Sequence, residues 1–208
     1  MDVSRETASR VFGAELPRAE AFAELLATDG VTRGLIGPRE TERLWSRHLL
    51  NSAVLAEACP ASGLVVDVGS GAGLPGIPLA LARPGLTVRL VEPLLRRVTF
   101  LSEVVQQLGL PNVEVVRSRA EDLHGSWTAP VVTARAVAPL DRLAGWCLPL
   151  VAPGGSLLAL KGDRADAELA AATDVLRRLG VGHSHVEEVG ADLVSPPVRL
   201  VRLTMPPR

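Results

Sequence analysis

The sequence predicts an α/β protein built on a seven-stranded, mostly parallel sheet, and three observations carry that prediction. Short apolar runs recur at 64–68, 87–91, 112–116, 131–134 and 156–160, the first four rich in valine and the fifth, SLLAL, in leucine. Segments with helical apolar spacing separate them, which is the alternation of a parallel sheet with crossover helices. Two last runs, 183–189 and 198–203, have only a loop with Pro196-Pro197 between them and read as an antiparallel hairpin closing the sheet.

Residues 1–60 are read as an N-terminal helical cap and 61–208 as the sheet-bearing domain, packed as one body. Ser4 is suited to cap a first turn. Pro17 opens a helix carrying Phe22, Leu25 and Leu26, and Pro38 precedes another with Leu44, Trp45, Leu49, Leu50 and Val54 at helical spacing. Arg43, Arg47 and His48 gather near Trp45; a solvated helix face explains them as well as a site does.

Residues 64–78, LVVDVGSGAGLPGIP, are the stretch that makes a ligand site. An apolar strand is interrupted by Asp67 near its end, and Gly69, Gly71 and Gly73 then remove every Cβ where the chain turns into a helix. A ligand can lie against such a main chain. The pattern Gly71-x-Gly73-x-x-Gly76 also satisfies a dinucleotide fingerprint. Asp67 favours S-adenosylmethionine (AdoMet) over it, because a carboxylate repels a pyrophosphate but suits the sulfonium and ammonium charges of AdoMet.

The remaining elements follow in order. A short helix over 77–82 stops at Pro84-Gly85. The strand over 87–91 ends in Glu92, placed to accept hydrogen bonds from ribose hydroxyls. A helix over 95–108 turns Val98, Leu101, Val104, Val105 and Leu108 inward and ends at Gly109. After the third strand, Ala120, Glu121 and Asp122 stand where an adenine pocket closes, or cap a helix. The fourth strand runs into Arg135, a fixed cation suited to a carboxylate or phosphate, or else a partner in a structural ion pair. A helix over 140–150, a turn at 153–155 and a strand ending at Lys161 come next, then a helix over 164–179.

Composition bounds the function. The 208 residues, 47% hydrophobic, supply one substantial core, and the net charge of −1 gives no bulk attraction for nucleic acid, so any such binding needs a local patch. Lys161 is the only lysine. Cys59 and Cys147 lack metal or CxxC spacing, and His183 and His185 alternate on a strand without thiol or carboxylate partners, so no metal site is expected. No apolar run is long enough to span a membrane and the first residues lack signal-peptide order. A soluble, cytoplasmic monomer is the expectation.

Several segments agree in order with one family. RHLLNS at 47–52, DVGSGAGLPGIPLA, Arg97-Val98-x-Phe100-Leu101, SRAED, ARAVAPL at 134–140 and ALKG at 159–162 together resemble the RsmG (GidB) family of class I AdoMet-dependent methyltransferases, with its Rossmann-like sheet. The resemblance implies methyl transfer to a guanine N7 in small-subunit (16S) ribosomal RNA, free or in the small subunit. It implies AdoMet contacts at Gly69, Leu74, Ala120, Glu121 and Arg135, beside Asp67, Gly71 and Glu92 from the residues themselves. Arg47, His48, Arg135 and Lys161 are candidates for substrate positioning. Glu92 and Asn51 stand where the family often has aspartate. The alternatives are a methyltransferase for a small molecule or protein, and a non-catalytic AdoMet- or nucleotide-binding regulator.

Overall fold

Parallel strands buried on both faces need helices on both sides, and the alternation along the chain supplies them. The computed structural model describes residues 5–135 and 138–207. Its strands are β1 (Gly63–Val68), β2 (Leu86–Val91), β3 (Val113–Val116), β4 (Ala129–Arg135), β5 (Val151–Leu160), β6 (His183–Val189) and β7 (Val198–Thr204). They form one sheet in the order β3-β2-β1-β4-β5-β7-β6. Only β7 runs against its neighbours, pairing antiparallel with β5 and β6. The chain winds outward from β1 to β3, then returns to begin β4 on the other side of β1, so the carboxyl ends of β1 and β4 flank a topological switch point.

The helices are α1 (Arg5–Phe12), α2 (Leu16–Leu25), α3 (Leu50–Ala53), α4 (Gly76–Ala82), α5 (Leu95–Leu108), α6 (Leu140–Cys147) and α7 (Ala165–Arg178). Side-chain alternation splits β1 between two cores. Val65 packs with Phe12, Phe22, Leu49, Ile77 and Leu101 on one face. On the other, Val66 and Val68 pack with Leu143, Cys147 and Leu176. The N-terminal helices therefore share the core under α4 and α5.

The segment from Pro38 differs from the single helix expected. It winds as a 3₁₀ turn (Pro38–Arg43), a π-helical turn (Leu44–Leu49), α3 and a second 3₁₀ turn (Val54–Ala58). Tertiary contacts override the regular period here: Leu44, Leu49 and Leu50 are buried, while Arg43 and Arg47 reach solvent. In α5 the buried set is Phe100, Leu101, Val104 and Leu108, so Phe100 replaces Val98 and Val105 at the centre of the contact. Gly109 ends that helix in the left-handed region, φ 60°, as its position predicts.

Residues 153–155, expected as a turn before the fifth strand, lie inside β5. The register between β4 and β5 shifts there, from Ala129 opposite Val151 to Val131 opposite Ser156. A Cβ on Gly155 would sit 2.5 Å from the Pro130 carbonyl oxygen, so only glycine allows β4 this close. The expected cap at Ser4 lies outside the described residues.

The end of the helical segment is tied to the far hairpin. Glu57 accepts the Gly190 N–H at 2.8 Å, and Arg202 donates to the Ala58 carbonyl at 2.9 Å. A Cβ at Gly190 would meet Val54 at 2.7 Å. Both cysteines are free and buried, and burial pushes their thiols up, Cys59 to about 11. None of the described helices is long and apolar enough to cross a membrane.

Candidate active site

The glycine loop leaves β1 and is held by three sets of bonds. Gly69 and Ser70 N–H groups donate to the Val91 carbonyl at the end of β2, at 2.8 and 3.3 Å. Asp67 Oδ2 accepts the Gly76 N–H at 3.0 Å. Glu92 Oε2 accepts the Gly71 N–H at 3.0 Å, while its Oε1 accepts the Leu94 N–H at 3.1 Å. Arg97 lies 3.4 Å from the same carboxylate.

These bonds settle what two of the expected ligand contacts do. Asp67 lines neither cavity near the loop; it is wholly buried beneath it, with Oδ1 unpartnered. Burial pushes its carboxyl up to about 7. Its Oδ2 holds the start of α4 through the Gly76 N–H. Glu92, only 1% exposed, does line the cavity, but both its oxygens already brace the loop. Room around the glycines is uneven. A Cβ at Gly76 would fall 2.2 Å from Leu90 and 2.8 Å from Asp67 Oδ2. At Gly71, φ +57°, it would meet only the Gly69 carbonyl, at 3.8 Å, and otherwise open space.

That space is a cavity of about 660 Å³, lined by Gly69, Ser70, Gly71, Leu74 and Glu92 from the sheet side and by Leu35, Ile36 and His48 from the N-terminal segment, Leu35 and Ile36 on its loop before Pro38, with Arg97 and Arg135 also on its wall. The volume suits a nucleoside-sized ligand. A second hollow of about 180 Å³ adjoins it across Gly69 and Pro93, and is walled by Ser118, Arg119, Ala120, Glu121 and Trp146. Ala120 and Glu121 thus stand on the wall of this smaller hollow. Glu121 and Asp122 belong to a single 3₁₀ turn, Glu121–Leu123, so they cap no helix.

At the tip of β4, Arg135 joins the two halves of the molecule. Its NH2 approaches His48 Nδ1 at 2.8 Å and the Arg47 carbonyl at 3.3 Å, and its NH1 donates to Ser52 Oγ at 3.1 Å. Among the described residues it makes no ion pair with a carboxylate, so the structural ion pair weighed for it is absent there. His48 Nε2 lies 2.8 Å from Glu40 Oε2. A guanidinium only donates, so Nδ1 must accept and Nε2 must carry the proton. Burial and the Arg135 charge hold His48 below the usual histidine range. The following residues 136 and 137 of the ARAVAPL segment lie outside the described residues.

Lys161 is elsewhere. It is 5% exposed, pairs with Glu168 at 2.9 Å and donates to the Ala138 carbonyl, while Glu168 also accepts the Leu140 N–H. This cation fixes the chain just beyond Arg135 and faces neither cavity, which corrects its candidacy for touching substrate. Arg47 is exposed, 3.4 Å from Glu40.

A family model described as rRNA small subunit methyltransferase G matches residues 15–195. The chain belongs to the rRNA small subunit methyltransferase G family. Relatives of that name from Nocardioides sp. and Streptomyces coelicolor are 59% and 58% identical, covering 97% and 95% of this chain and 84% and 83% of theirs. In fold the chain resembles a SAM-dependent O-methyltransferase of Thermotoga maritima, TM-score 0.59 at 14% identity, over 81% of this chain and 71% of that one. It also resembles an rRNA methylase of Streptococcus thermophilus, TM-score 0.52 at 20% identity, over 76% and 95%. The sheet is therefore the class I methyltransferase sheet, as the motifs implied. Within this methyltransferase G chain, Glu40, Leu35, Ile36 and Trp146 are not singled out by the sequence, and Ser52 enters there only as the last residue of RHLLNS. The first four carry no motif of their own, and only the fold brings all five to the site.

Proposed function

We infer that the chain transfers a methyl group from AdoMet to N7 of a guanine in small-subunit ribosomal RNA. The helical cap (residues 1–60) and the sheet domain (61–208) act as one unit, and the protein works as a cytoplasmic monomer. The observation that carries this reading is the meeting of two family segments at one point: His48 of RHLLNS and Arg135 of ARAVAPL touch at 2.8 Å on the wall of the glycine-loop cavity.

The residues present fit AdoMet. Gly69 and Gly71 open their main chain to the larger cavity, Leu74 and Glu92 flank it, and Ala120 and Glu121 wall the adjoining hollow, where an adenine would sit. Arg135 supplies a cation for a carboxylate. When bound, AdoMet supplies an electrophilic methyl on a sulfonium. Guanine N7 has an unprotonated in-plane lone pair, so attack needs no prior loss of a proton. The site agrees: the Nδ1 lone pair of His48 is taken by Arg135, its Nε2–H faces Glu40, and Asp67 is sealed under the loop. None of these groups is poised as a base. Rate enhancement then rests on alignment and exclusion of water, effects worth about 7–11 kcal/mol.

Arg43 and Arg47 are exposed on the cap, Arg97 lines the larger cavity and Arg119 the smaller. They supply the local basic patch that a net charge of −1 leaves necessary for RNA. Leu94 and Leu95, 50% and 57% exposed, add an apolar edge beside it. The deciding experiment incubates the protein with labelled AdoMet and small ribosomal subunits lacking the modification. Label on a single guanine N7 is expected; label on another atom, or none, rejects the reading.

A further inference from the structure

We propose that Glu40 is a positioning residue for methyl transfer: it fixes the ring proton and plane of His48, and through His48 the aim of Arg135. The proposal rests on the functional reading above and names a residue that lines neither cavity.

The argument is one of donors and acceptors. Arg135 has five N–H groups and no lone pair to offer, so its 2.8 Å contact with His48 Nδ1 exists only while Nδ1 is bare. A neutral imidazole places its single proton on either nitrogen at comparable cost in water. Here Glu40 Oε2, 2.8 Å from Nε2, accepts a proton from that nitrogen only, and so selects the tautomer that leaves Nδ1 open to Arg135. The same logic operates wherever a carboxylate orients a histidine. The other oxygen of Glu40 is held by Arg47 at 3.4 Å, which limits rotation of the carboxylate.

The alternative states are costly. With the proton on Nδ1, or on both nitrogens, an N–H would point at a guanidinium 2.8 Å away, donor against donor and, in the second case, charge against charge. Arg135 would then keep only Ser52 Oγ and the Arg47 carbonyl, and its NH2 would be free to swing from the cavity wall. The charged groups facing His48 are Glu40 and Arg47 from the cap segment and Arg135 from β4; Arg43 acts on Glu40 from the same turn. Two cations and one carboxylate surround the ring, so neutral His48 is the form the surroundings favour.

The test separates position from stability. In the ¹⁵N-labelled protein at slightly alkaline pH, the His48 ring, assigned by its loss in His48→Gln, should show a protonated Nε2 and a bare Nδ1. Glu40→Ala should lose that preference and lower kcat about tenfold or more at saturating AdoMet and RNA. The melting temperature should move by about 3 °C at most, since the Glu40 side chain is 30% exposed and water can take over its bond. Glu40→Gln, whose amide oxygen accepts the same N–H, should recover both the tautomer and most of kcat. A wild-type ring protonated on Nδ1 overturns the proposal, and so does a Glu40→Ala protein that keeps its kcat. If wild-type protein methylates no ribosomal RNA, the functional reading fails separately, and the ring-proton comparison still decides whether Glu40 sets His48.

Discussion

The carboxylate of Asp67 accepts the amide N–H of Gly76 at 3.0 Å and so folds the glycine loop back onto the strand it leaves. The acid that sequence pattern ties to the ligand is spent on the shape of the loop, and the loop makes the site. Two glycine substitutions separate those roles. Gly76→Ala drives a methyl into Leu90 and Asp67 and should destabilise the fold by about 1–3 kcal/mol in urea unfolding. Gly71→Val, whose Cβ enters the cavity, should leave a folded protein, at a backbone cost of roughly 1–2 kcal/mol, that no longer binds AdoMet by calorimetry. A folded Gly71→Val that binds like the parent would remove this loop from the cofactor site.

Asp67 also predicts a pH dependence. Its folded carboxyl titrates near 7 against an ordinary 3.8, because burial penalises the charge. The native state therefore holds a proton that the unfolded chain has released between those values, and the stabilisation present below 3.8 is lost as pH rises toward 7. His48 acts in the opposite sense, its depressed titration costing stability as pH falls below its ordinary 6.5. Urea midpoints across pH 4–8 should fall less steeply through the acidic half for Asp67→Asn than for the parent. Parallel curves would show that Asp67 does not hold its proton.

Lys161 should behave as a structural cation. Lys161→Ala leaves the part-buried Glu168 with only the Leu140 N–H and the more distant Arg164 and should cost about 1–3 kcal/mol of stability. Arg135→Ala should do the reverse, lowering turnover far more than the melting temperature. Equal losses in both measurements for Arg135→Ala would mean that its bonds to His48 and Ser52 matter only for packing.

How far the sequence reached can be judged from these residues. β1 to β4 were legible because each is a valine-rich run bounded by a turn, and the hairpin because two apolar runs share a loop. β5 was seen only in its second half, because Pro153-Gly154-Gly155 reads as a turn. The winding of 38–58 was not, since its 3₁₀ and π-helical turns follow from packing rather than local spacing. At the site, Arg135 was visible as a cation at a strand end. Glu40 was invisible, and Ser52 was visible only as part of RHLLNS, because only the fold brings Ser52 and His48, 83 and 87 positions away, to that strand tip and Glu40 in behind His48. Lys161 shows the converse limit: the position was right, but nothing local reveals that Glu168 turns it inward.

RNA binding should be governed by the exposed arginines. Arg47→Ala should weaken binding to the small subunit at low salt and reduce the slope of log K against log[salt] by about 0.7–0.9 if it contacts one phosphate. A slope unchanged by Arg43→Ala and Arg47→Ala together would place the RNA on another face.

Single-turnover rate at saturating RNA should stay nearly flat from mildly acidic to mildly alkaline pH, since N7 needs no base. A tenfold rise per pH unit through the histidine range, abolished in His48→Ala without weaker binding, would show a proton leaving in the rate-limiting step and N7 to be the wrong atom.

The bonds from Glu57 to Gly190 and from Arg202 to Ala58 span 133 and 144 residues. At a synthesis rate of about 5–20 residues per second, the Ala58 carbonyl waits roughly 7–30 s for its partner to be made. The last turn before β1 thus cannot lock until residues 190 and 202 have been made, and the glycine-loop cavity, which takes a wall from that same N-terminal segment, reaches its finished form only after both.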